Sequence, residues 1–196
     1  MGKIYERIDG RLRAFIEDQQ VFFVATAPLA GDGHVNISPK GRRGTWVVLD
    51  DRTVAYLDFG GSHAETTAHL RENGRITLMW CAFDGPPNIV RVHSVGEPVF
   101  RDDPRFPDLV ARFGEAADAG GLRGIVVVTA KLVSDTCGWA VPLMDYREDR
   151  MLHTDNFNRK TEEEFAEYCA RKPYNVASID GLPAIPLPLP PRPAMS

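Results

Sequence analysis

Residues 33–58, GHVNISPKGRRGTWVVLDDRTVAYLD, decide the fold, because three strand patterns occur within fewer than thirty residues. The first is an alternating strand that ends in a glycine-bracketed group of cations, and the others are Thr45–Leu49 and Thr53–Asp58. Asp50, Asp51 and Arg52 separate the last two strands as the turn of a hairpin would. The stretch therefore predicts consecutive antiparallel strands.

The segments on both sides add further strands and a few helices. Hydrophobic spacing predicts helices at Asp9–Gln20, Ser62–Asn73 and about Pro104–Ala117, and strands at Val21–Ala27, Arg75–Ala82, Asn88–Arg101 and Gly124–Val133. Ser62 and Glu65 form a capping-box pattern, and Asn73-Gly74 supplies a stop signal. Because strands and helices do not strictly alternate, a mainly β, α+β fold fits best. We expect a small closed or partly open β-barrel of about six to seven antiparallel strands, with short flanking helices.

The character of the chain changes after Ser134. We predict a barrel domain at residues 1–135 and a C-terminal extension at residues 136–196. The extension is expected to contain one helix, at about Thr161–Arg171, followed by a tail in which six of the last fifteen residues are proline. This proline content favours an extended conformation, so we expect the tail to lie along a surface or to be disordered.

Composition excludes several classes of protein. At 196 residues the chain is long enough for one domain with a real core. It has no apolar run near the ~20 residues that span a bilayer, and its first ten residues lack the apolar core of a signal peptide. Three cysteines without a Cys-x-x-Cys pair and five histidines without metal-site spacing predict a cytoplasmic protein with no metal site. The net charge of -4 argues against a nucleic-acid partner.

One local group of cations is a candidate binding site. Successive side chains of a strand point to opposite faces, so Asn36, Ser38 and Lys40 share one face. Arg42 and Arg43 follow between two glycines, which let the backbone turn sharply or approach a ligand closely. The pattern is typical of a strand that delivers a phosphate-bearing ligand to a basic turn. A solvated basic hairpin end is the alternative from these residues alone.

The order of these segments resembles a known family. A short helix is followed by the strands FFVATA and VNISPKG, a hairpin ending in AYLDF, a helix ending in HLRENGRITL and the strand IVRVHSVGEP. This order is similar to the pyridoxamine 5'-phosphate oxidase-like flavin-binding family over about residues 9–133. SDTCGWAVPLMDY and NVASIDGLP resemble the extension of one branch of that family. The resemblance implies a split β-barrel and a homodimer, with FMN in a cleft between the subunits.

The resemblance also implies particular cofactor contacts. Lys40 matches the lysine that ends the ligand-binding strand of the family, and Asn36 and Ser38 lie on its face. Leu57 and Asp58 occupy the place of a residue pair that lines the flavin. Asp58 departs from the hydroxyl residue expected there.

The largest departure from the family lies in the following helix. The family carries an Arg-Lys pair for the phosphate where this chain has Glu65 and Thr66. We therefore expect the phosphate to be held by the helix start at Ser62 and by the cations at 40–43, with hydroxyl groups from Thr66 and Thr67. The spacing favours Glu65 as the capping partner of Ser62 rather than as a residue facing the ligand.

Two further residues are candidates for cofactor contact. Arg91, inside an apolar strand, either pairs with a carboxylate or directs its guanidinium at anionic atoms of the ligand. Trp139 lies outside regular strand patterning and is a candidate to stack on the flavin of a partner subunit, whereas Trp80 is expected in the core. Cys137 has no neighbouring base in the sequence, so we expect a packed thiol.

The expected function is that of an FMN-binding flavoprotein, an oxidoreductase acting on an unidentified small molecule. Because a flavin performs the electron transfer itself, no side chain is named as a catalytic acid or base. Three alternatives stay open: an F420-dependent reductase on the same barrel, a non-enzymatic flavin- or haem-binding protein, and a barrel that serves only assembly. Glycine-rich nucleotide loops and the nucleophile elbow of hydrolases do not occur.

Overall fold

The computed structural model describes residues 2–193. Its strands are β1 Lys3–Tyr5, β2 Val21–Thr26, β3 Asn36–Gly41, β4 Trp46–Val48, β5 Thr53–Phe59, β6 Arg75–Cys81, β7 Ile89–Phe100 and β8 Leu122–Thr136. Its α-helices are α1 Gly10–Asp18, α2 Glu65–Asn73, α3 Phe106–Val110, α4 Leu152–Asn158 and α5 Glu162–Arg171. Two 3-10 helices lie at Ala111–Asp118 and Pro173–Asn175.

The strands form one curled antiparallel sheet, which is the predicted split β-barrel. Seven strands lie in the order β3-β2-β6-β7-β8-β5-β4, and the short β1, which was not predicted, pairs with β8. β8 is the β-branched run GIVVVTAKLV extended at both ends, and it pairs with both β7 and β5. The strand predicted at Gly124–Val133 is confirmed, and it lies in the interior of the sheet. β3, the ligand-strand candidate, lies at one end of the sheet, and within residues 2–193 β2 is its one partner strand.

The core of the barrel is aromatic. Phe22 on β2 stacks against Trp80 on β6, with ring centroids 5.4 Å apart, and meets the edge of Tyr56 on β5 at the same distance. All three side chains are buried. The alternation of half-buried and buried residues along β2 places Phe22 inside, as the period of two requires. Trp80 therefore packs in the core, as predicted.

The start of helix α2 differs from the prediction. The helix begins at Glu65 rather than at Ser62, its N-cap residue is Ala64, and no side chain caps it. Glu65 instead accepts a hydrogen bond through Oε1 from the backbone N–H of Ile179 at 2.7 Å. The predicted capping box is therefore wrong, because a partner 114 residues away occupies the carboxylate.

Two other helix boundaries test the sequence signals. The stop signal at residues 73–74 is confirmed, because Gly74 ends α2 in the left-handed conformation with a φ of 72°. The helix predicted at about Pro104–Ala117 is instead the short α3 continued by a 3-10 helix, with a break at Gly114. None of the helices within residues 2–193 is both long enough and apolar enough to cross a membrane.

The C-terminal extension contains two α-helices where the sequence predicted one. Thr161 and Glu164 form a capping box at the start of α5, and the additional helix α4 packs through Phe157. Phe157 lies against Gly120 and Gly121, where a Cβ atom would come within 2.6 and 2.7 Å of Phe157 atoms. Only glycine at these two positions leaves room for the helix.

The proline-rich tail packs against the protein. Its Ala184, Ile185 and Leu189 are buried in a cluster with residues of α2, α4 and α5. The guanidinium of Arg71 on α2 donates to the carbonyl oxygen of Ala184 at 2.9 Å. This fits the expectation that the tail lies along a surface, and its last three residues, 194–196, fall outside the described part.

Candidate functional site

A cavity of about 470 Å³ opens beside the end of β3. Its volume lies in the range of small-molecule and cofactor sites. One side is apolar and aromatic, and the opposite side comes from the C-terminal extension. The apolar side consists of Phe22, Pro39, Tyr56, Leu57 and Phe59, and the extension contributes Glu148, Asp149, Arg150, His153 and Thr154.

A smaller cavity of about 110 Å³ adjoins the first one. Four residues line both cavities, which makes them two lobes of one site: Lys40, Ser62, His63 and Arg123. The small lobe lies at the start of α2, where the first backbone N–H groups of a helix have no partner within the helix. The sequence-predicted residues Asn36, Ser38, Lys40, Asp58, Ser62, Thr66 and Thr67 all line this lobe.

The inner face of β3 carries the polar residues predicted there. Burial alternates along the strand, with Asn36, Ser38 and Lys40 half-buried and the residues between them exposed. The Ser38 hydroxyl donates to Asn36 Oδ1 at 2.8 Å, and Asn36 Nδ2 donates to the Thr26 and Thr66 hydroxyls, each at 3.1 Å. The three β3 side chains therefore do share one face, and two of them belong to an ordered network.

Lys40 is the cation that the protein leaves available. Burial lowers the pKa of its ammonium, and the nearby Asp58 carboxylate opposes this shift. Within residues 2–193 no carboxylate forms an ion pair with Lys40, because Asp58 pairs with Arg123 instead. A desolvated ammonium without a partner favours binding of an anion.

Arg123 is a site residue that the sequence reasoning missed. Its guanidinium donates to both carboxylate oxygens of Asp58, from Nε at 3.2 Å and from Nη2 at 3.1 Å. Both residues are buried, with relative exposures of 4% and 7%. The two come together because Asp58 on β5 lies opposite Gly124 on β8. The signal available in the sequence was the charged residue Arg123 directly before the apolar run of β8.

Asp58 lines the small lobe in a different role from the one predicted. Both of its oxygens accept hydrogen bonds from Arg123, so it holds that guanidinium in place at the lobe. Lys40 and Arg123 bring two positive charges to the lobe, and Asp58 and Glu65, which also lines it, bring two negative charges. Because Arg123 is paired with Asp58, attraction of an anionic ligand depends on Lys40.

The two arginines of the basic turn have separate environments. Arg42 lines the large lobe, but its guanidinium donates to the Thr154 hydroxyl at 2.5 Å and to the Ala116 carbonyl oxygen at 3.2 Å, and burial lowers its pKa. Arg43 lines neither lobe, and its exposed guanidinium lies 5.7 Å from the ring centroid of Tyr146. The predicted cluster of three phosphate-binding cations is thus divided, and of the three Lys40 alone lines both lobes.

Two other candidates lie away from the cavity of this chain. Arg91 donates to the Thr136 hydroxyl at 3.0 Å on the adjacent strand. Trp139 is 84% exposed. Neither lines the two lobes, and the contact of Trp139 with the flavin of a partner subunit stays a prediction.

The extension side of the cavity was not predicted from sequence. His153 donates through Nε2 to the Gly60 carbonyl oxygen at 2.6 Å, and Thr154 accepts from Arg42. These two contacts join the extension to the barrel across the cavity. The segment is charged and without a periodic pattern, so no local signal indicated that it would face a ligand.

Backbone strain concentrates at the same place. Among the non-glycine residues of the described chain, Arg42 and His63 have positive φ angles, of 80° and 65°. Both line the large lobe. Such conformations are costly and cluster at ligand sites, where the surrounding structure holds them.

The hydroxyl of Tyr56 is another unusual feature of the large lobe. Tyr56 is buried, and its Oη has no hydrogen-bond partner within residues 2–193. Burial raises the pKa of this phenol well above its usual value, so the group stays protonated.

Within residues 2–193, no group of three or more His, Cys, Asp and Glu side chains is arranged to hold a metal ion.

Comparison with known proteins gives consistent matches. The family model for pyridoxamine 5'-phosphate oxidase matches residues 8–137. The pyridoxamine 5'-phosphate oxidase family protein ustO of Aspergillus flavus is 37% identical over 197 residues, which cover 94% of this chain and 78% of the relative.

Similar solved structures are more distant in sequence. HupZ of Group A Streptococcus is 18% identical with a TM-score of 0.50, and the match covers 64% of this chain and 91% of HupZ. An FMN-binding protein of Syntrophomonas wolfei is 18% identical with a TM-score of 0.49, over 62% of this chain and 80% of that protein. The likeness to HupZ concerns the fold alone.

Proposed function

Because the chain belongs to the pyridoxamine 5'-phosphate oxidase family, we propose that it is a flavoprotein that binds FMN non-covalently in the two-lobed cavity. The observation that carries the proposal is the unpaired ammonium of Lys40 in the small lobe, beside the start of α2. Free helix N–H groups, Lys40 and the Thr66 hydroxyl are donors suited to a phosphate.

The family's usual phosphate-binding pair has a substitute in this chain. The positions of that pair hold Glu65 and Thr66, and Glu65 lines the lobe while its Oε1 accepts from the Ile179 N–H. Arg123 on β8 is held in place by Asp58. Its guanidinium brings a second positive charge to the lobe, next to the ammonium of Lys40. The donor set therefore fits a phosphate monoester in spite of the altered helix.

The large lobe fits a flat ring system. Its aromatic and apolar walls offer faces for an isoalloxazine, and the protonated Tyr56 hydroxyl offers a hydrogen-bond donor. When bound, the flavin supplies hydride or electron transfer. The residues of the chain bind and orient the ring, neutralise the phosphate and, through the extension, limit access of water. We propose oxidation or reduction of a small molecule as the activity.

The proposal includes a homodimer. Val35 lies just before β3, and Ile37 lies on it. Both side chains are exposed, by 70% and 69%, on the face of the strand opposite the ligand side. β3 is also an end strand with one neighbour, so its other edge is unpaired within the described chain. A second copy of the chain against this face would cover both features. Sedimentation velocity measures the assembly, and a monomer at micromolar concentration would remove the dimer from the proposal.

The absorbance spectrum of the purified protein tests the flavin proposal. A bound flavin gives absorbance bands in the blue and in the near ultraviolet, and extraction of the chromophore from the protein identifies it. If the protein is colourless, titration with FMN, riboflavin, FAD and F420 follows. We expect FMN to bind more tightly than riboflavin, because only FMN carries the phosphate. Absence of binding by all four would refute the proposed function, and preference for F420 would assign the site to that cofactor.

A further inference from the structure

A buried histidine lies behind the small lobe and is joined to it by hydrogen bonds. His69 on α2 has no exposed surface, and its Nδ1 lies 2.9 Å from the Thr26 hydroxyl. Thr26 in turn accepts from Asn36, which contacts Ser38 and Thr66 at the lobe. These hydrogen bonds therefore connect the interior to two hydroxyl groups of residues that line the lobe.

At its inner end this hydrogen-bond network meets a carboxylate. Nε2 of His69 and Oε2 of Glu65 are both buried without a hydrogen-bond partner among residues 2–193, and they lie 4.0 Å from each other. The other oxygen of Glu65 accepts from Ile179. The unpartnered nitrogen and the unpartnered oxygen are thus complementary neighbours. Burial lowers the pKa of His69, which keeps the imidazole neutral.

A neutral imidazole carries one N–H group, so the network has two self-consistent directions. In the first, Nε2–H faces Glu65, and Nδ1 accepts from Thr26. In the second, Nδ1–H donates to Thr26, and the lone pair of Nε2 faces the carboxylate. The second direction places two lone pairs against each other in a buried site, whereas the first places a donor against an acceptor. The geometry therefore selects the first.

The selected direction fixes what the lobe offers to a ligand. Thr26 uses its proton on His69, so it accepts from the Asn36 amide, which also donates to Thr66. Asn36 Oδ1 then receives the Ser38 proton. Among residues 2–193, the Thr66 proton then has no acceptor and the lone pairs of Ser38 have no donor, so both are available to a ligand. In the opposite direction Thr26 can accept from both His69 and Asn36, because a hydroxyl oxygen has two lone pairs, so the amide is no longer held in one orientation and these two roles can be exchanged.

We infer that Glu65 and His69 are positioning residues that set this direction, so that Thr66 presents a donor and Ser38 an acceptor to the ligand. The donor lies at the start of α2, next to Lys40, at the place proposed for the phosphate. The acceptor suits a hydroxyl group carried near that anion. The site is therefore specific for a phosphate ester with adjoining hydroxyls. The inference deepens the proposed function and rests on it only for the identity of the ligand.

Nitrogen-15 NMR of the imidazole rings tests the direction without any ligand. The ligand-free full-length protein is expected to show neutral His69 as the Nε2–H tautomer, with the signal assigned by its loss in His69→Phe. His93 is the matched control, because its Nδ1 also contacts a threonine hydroxyl, at 3.2 Å, but the ring is exposed. We expect His69 to stay neutral, because burial lowers its pKa. An Nδ1–H tautomer of His69 would overturn the inference.

The isosteric variant Glu65→Gln tests the role of the carboxylate. Glutamine keeps an acceptor for Ile179 but can turn a donor towards Nε2, which removes the preference. We expect the His69 signals to shift towards the Nδ1–H tautomer in this variant. An unchanged tautomer in a folded variant would remove Glu65 from the proposal.

Ligand affinity tests the consequence at the lobe. Thr66→Val is expected to raise the Kd for FMN about tenfold, because the donor to the phosphate is lost. Its effect on riboflavin, which lacks the phosphate, is expected to be below about threefold. Ser38→Ala should weaken FMN and riboflavin equally. The reverse pattern would overturn the inference. If the wild type binds no flavin, the proposed function fails, and the NMR result still decides the direction of the network.

Discussion

The barrel side and the extension side of the cavity differ in whether their charged residues are buried and paired or exposed to solvent. On the barrel side, Asp58 and Arg123 are buried and fully paired with each other. On the extension side, Glu148 and Arg150 are exposed. A buried charge must be paired to be tolerated, whereas an exposed charge is solvated by water. The charged pair of the barrel side is therefore fixed by folding, and the exposed charged residues of the extension side can change with little effect on stability.

Replacement of one aspartate on each side gives the largest expected difference. Asp58→Ala leaves Arg123 buried without its partner, so we expect a loss of about 3–5 kcal/mol in the free energy of unfolding. Asp149→Ala, on the extension side, removes an acceptor for the exposed Arg43 backbone N–H and should cost less than about 1 kcal/mol. Urea unfolding of both variants measures the difference. Equal losses would show that the two sides do not differ in this way.

Replacement of one cation on each side tests ligand binding. Lys40→Ala removes a desolvated ammonium, and a charge-assisted hydrogen bond is worth about 1.5–3 kcal/mol, so the Kd for FMN should rise about 10- to 150-fold. Arg150→Ala removes an exposed, screened charge and should change the Kd less than about fivefold.

Arg43→Ala serves as the control for this pair, because Arg43 lines neither lobe. Calorimetric or fluorescence titration gives the three affinities, and circular dichroism verifies folding. A larger effect of Arg150 than of Lys40 would place the phosphate on the extension side and reverse the comparison.

The smallest expected effect concerns a pH-dependent contact of the C-terminal segment. His34 Nδ1 lies 2.7 Å from Asp180 Oδ1, and this hydrogen bond raises the pKa of His34 and lowers that of Asp180. A raised histidine pKa stabilises the folded state below the unfolded value of 6.5, and this contribution is lost as the pH rises through the folded pKa. The lowered aspartate pKa acts oppositely, and its contribution is lost as the pH falls through the folded value.

The contact is therefore expected to be strongest at mildly acidic pH. Hydrogen exchange of the neighbouring Ile179 amide, corrected for the intrinsic pH dependence, should show less protection at pH 8.5 than at pH 6. His34→Ala should remove most of this difference, and an equal difference in that variant would assign it to another group.

The sequence predicted the elements whose signals are local. The alternation around Asn36, Ser38 and Lys40 placed all three on one face, because a strand has a side-chain period of two whatever it pairs with. The turn at Gly74 was equally readable, since a left-handed conformation favours glycine. The order of such segments was sufficient to indicate the split barrel.

The residues that the sequence could not place depend on distant partners. Glu65 has the right spacing to cap the helix start, but the Ile179 N–H competes for its carboxylate. Arg123 reaches the site only because β5 and β8 pair in one particular register. Helix α4 has the sequence LHTDNFN, rich in residues that disfavour helix interiors, and its packing through Phe157 outweighs that propensity.

The slot formed by Gly120 and Gly121 provides a marker for this architecture in other chains. Any side chain at these positions would collide with the ring or backbone of Phe157. A relative with two glycines before its last barrel strand and an aromatic residue about 36 positions later has the means to close its cavity from the same chain. A relative with larger residues there must leave the cavity open or close it with another molecule. The presence of the two glycines therefore distinguishes relatives that can close the cavity with their own chain from those that cannot.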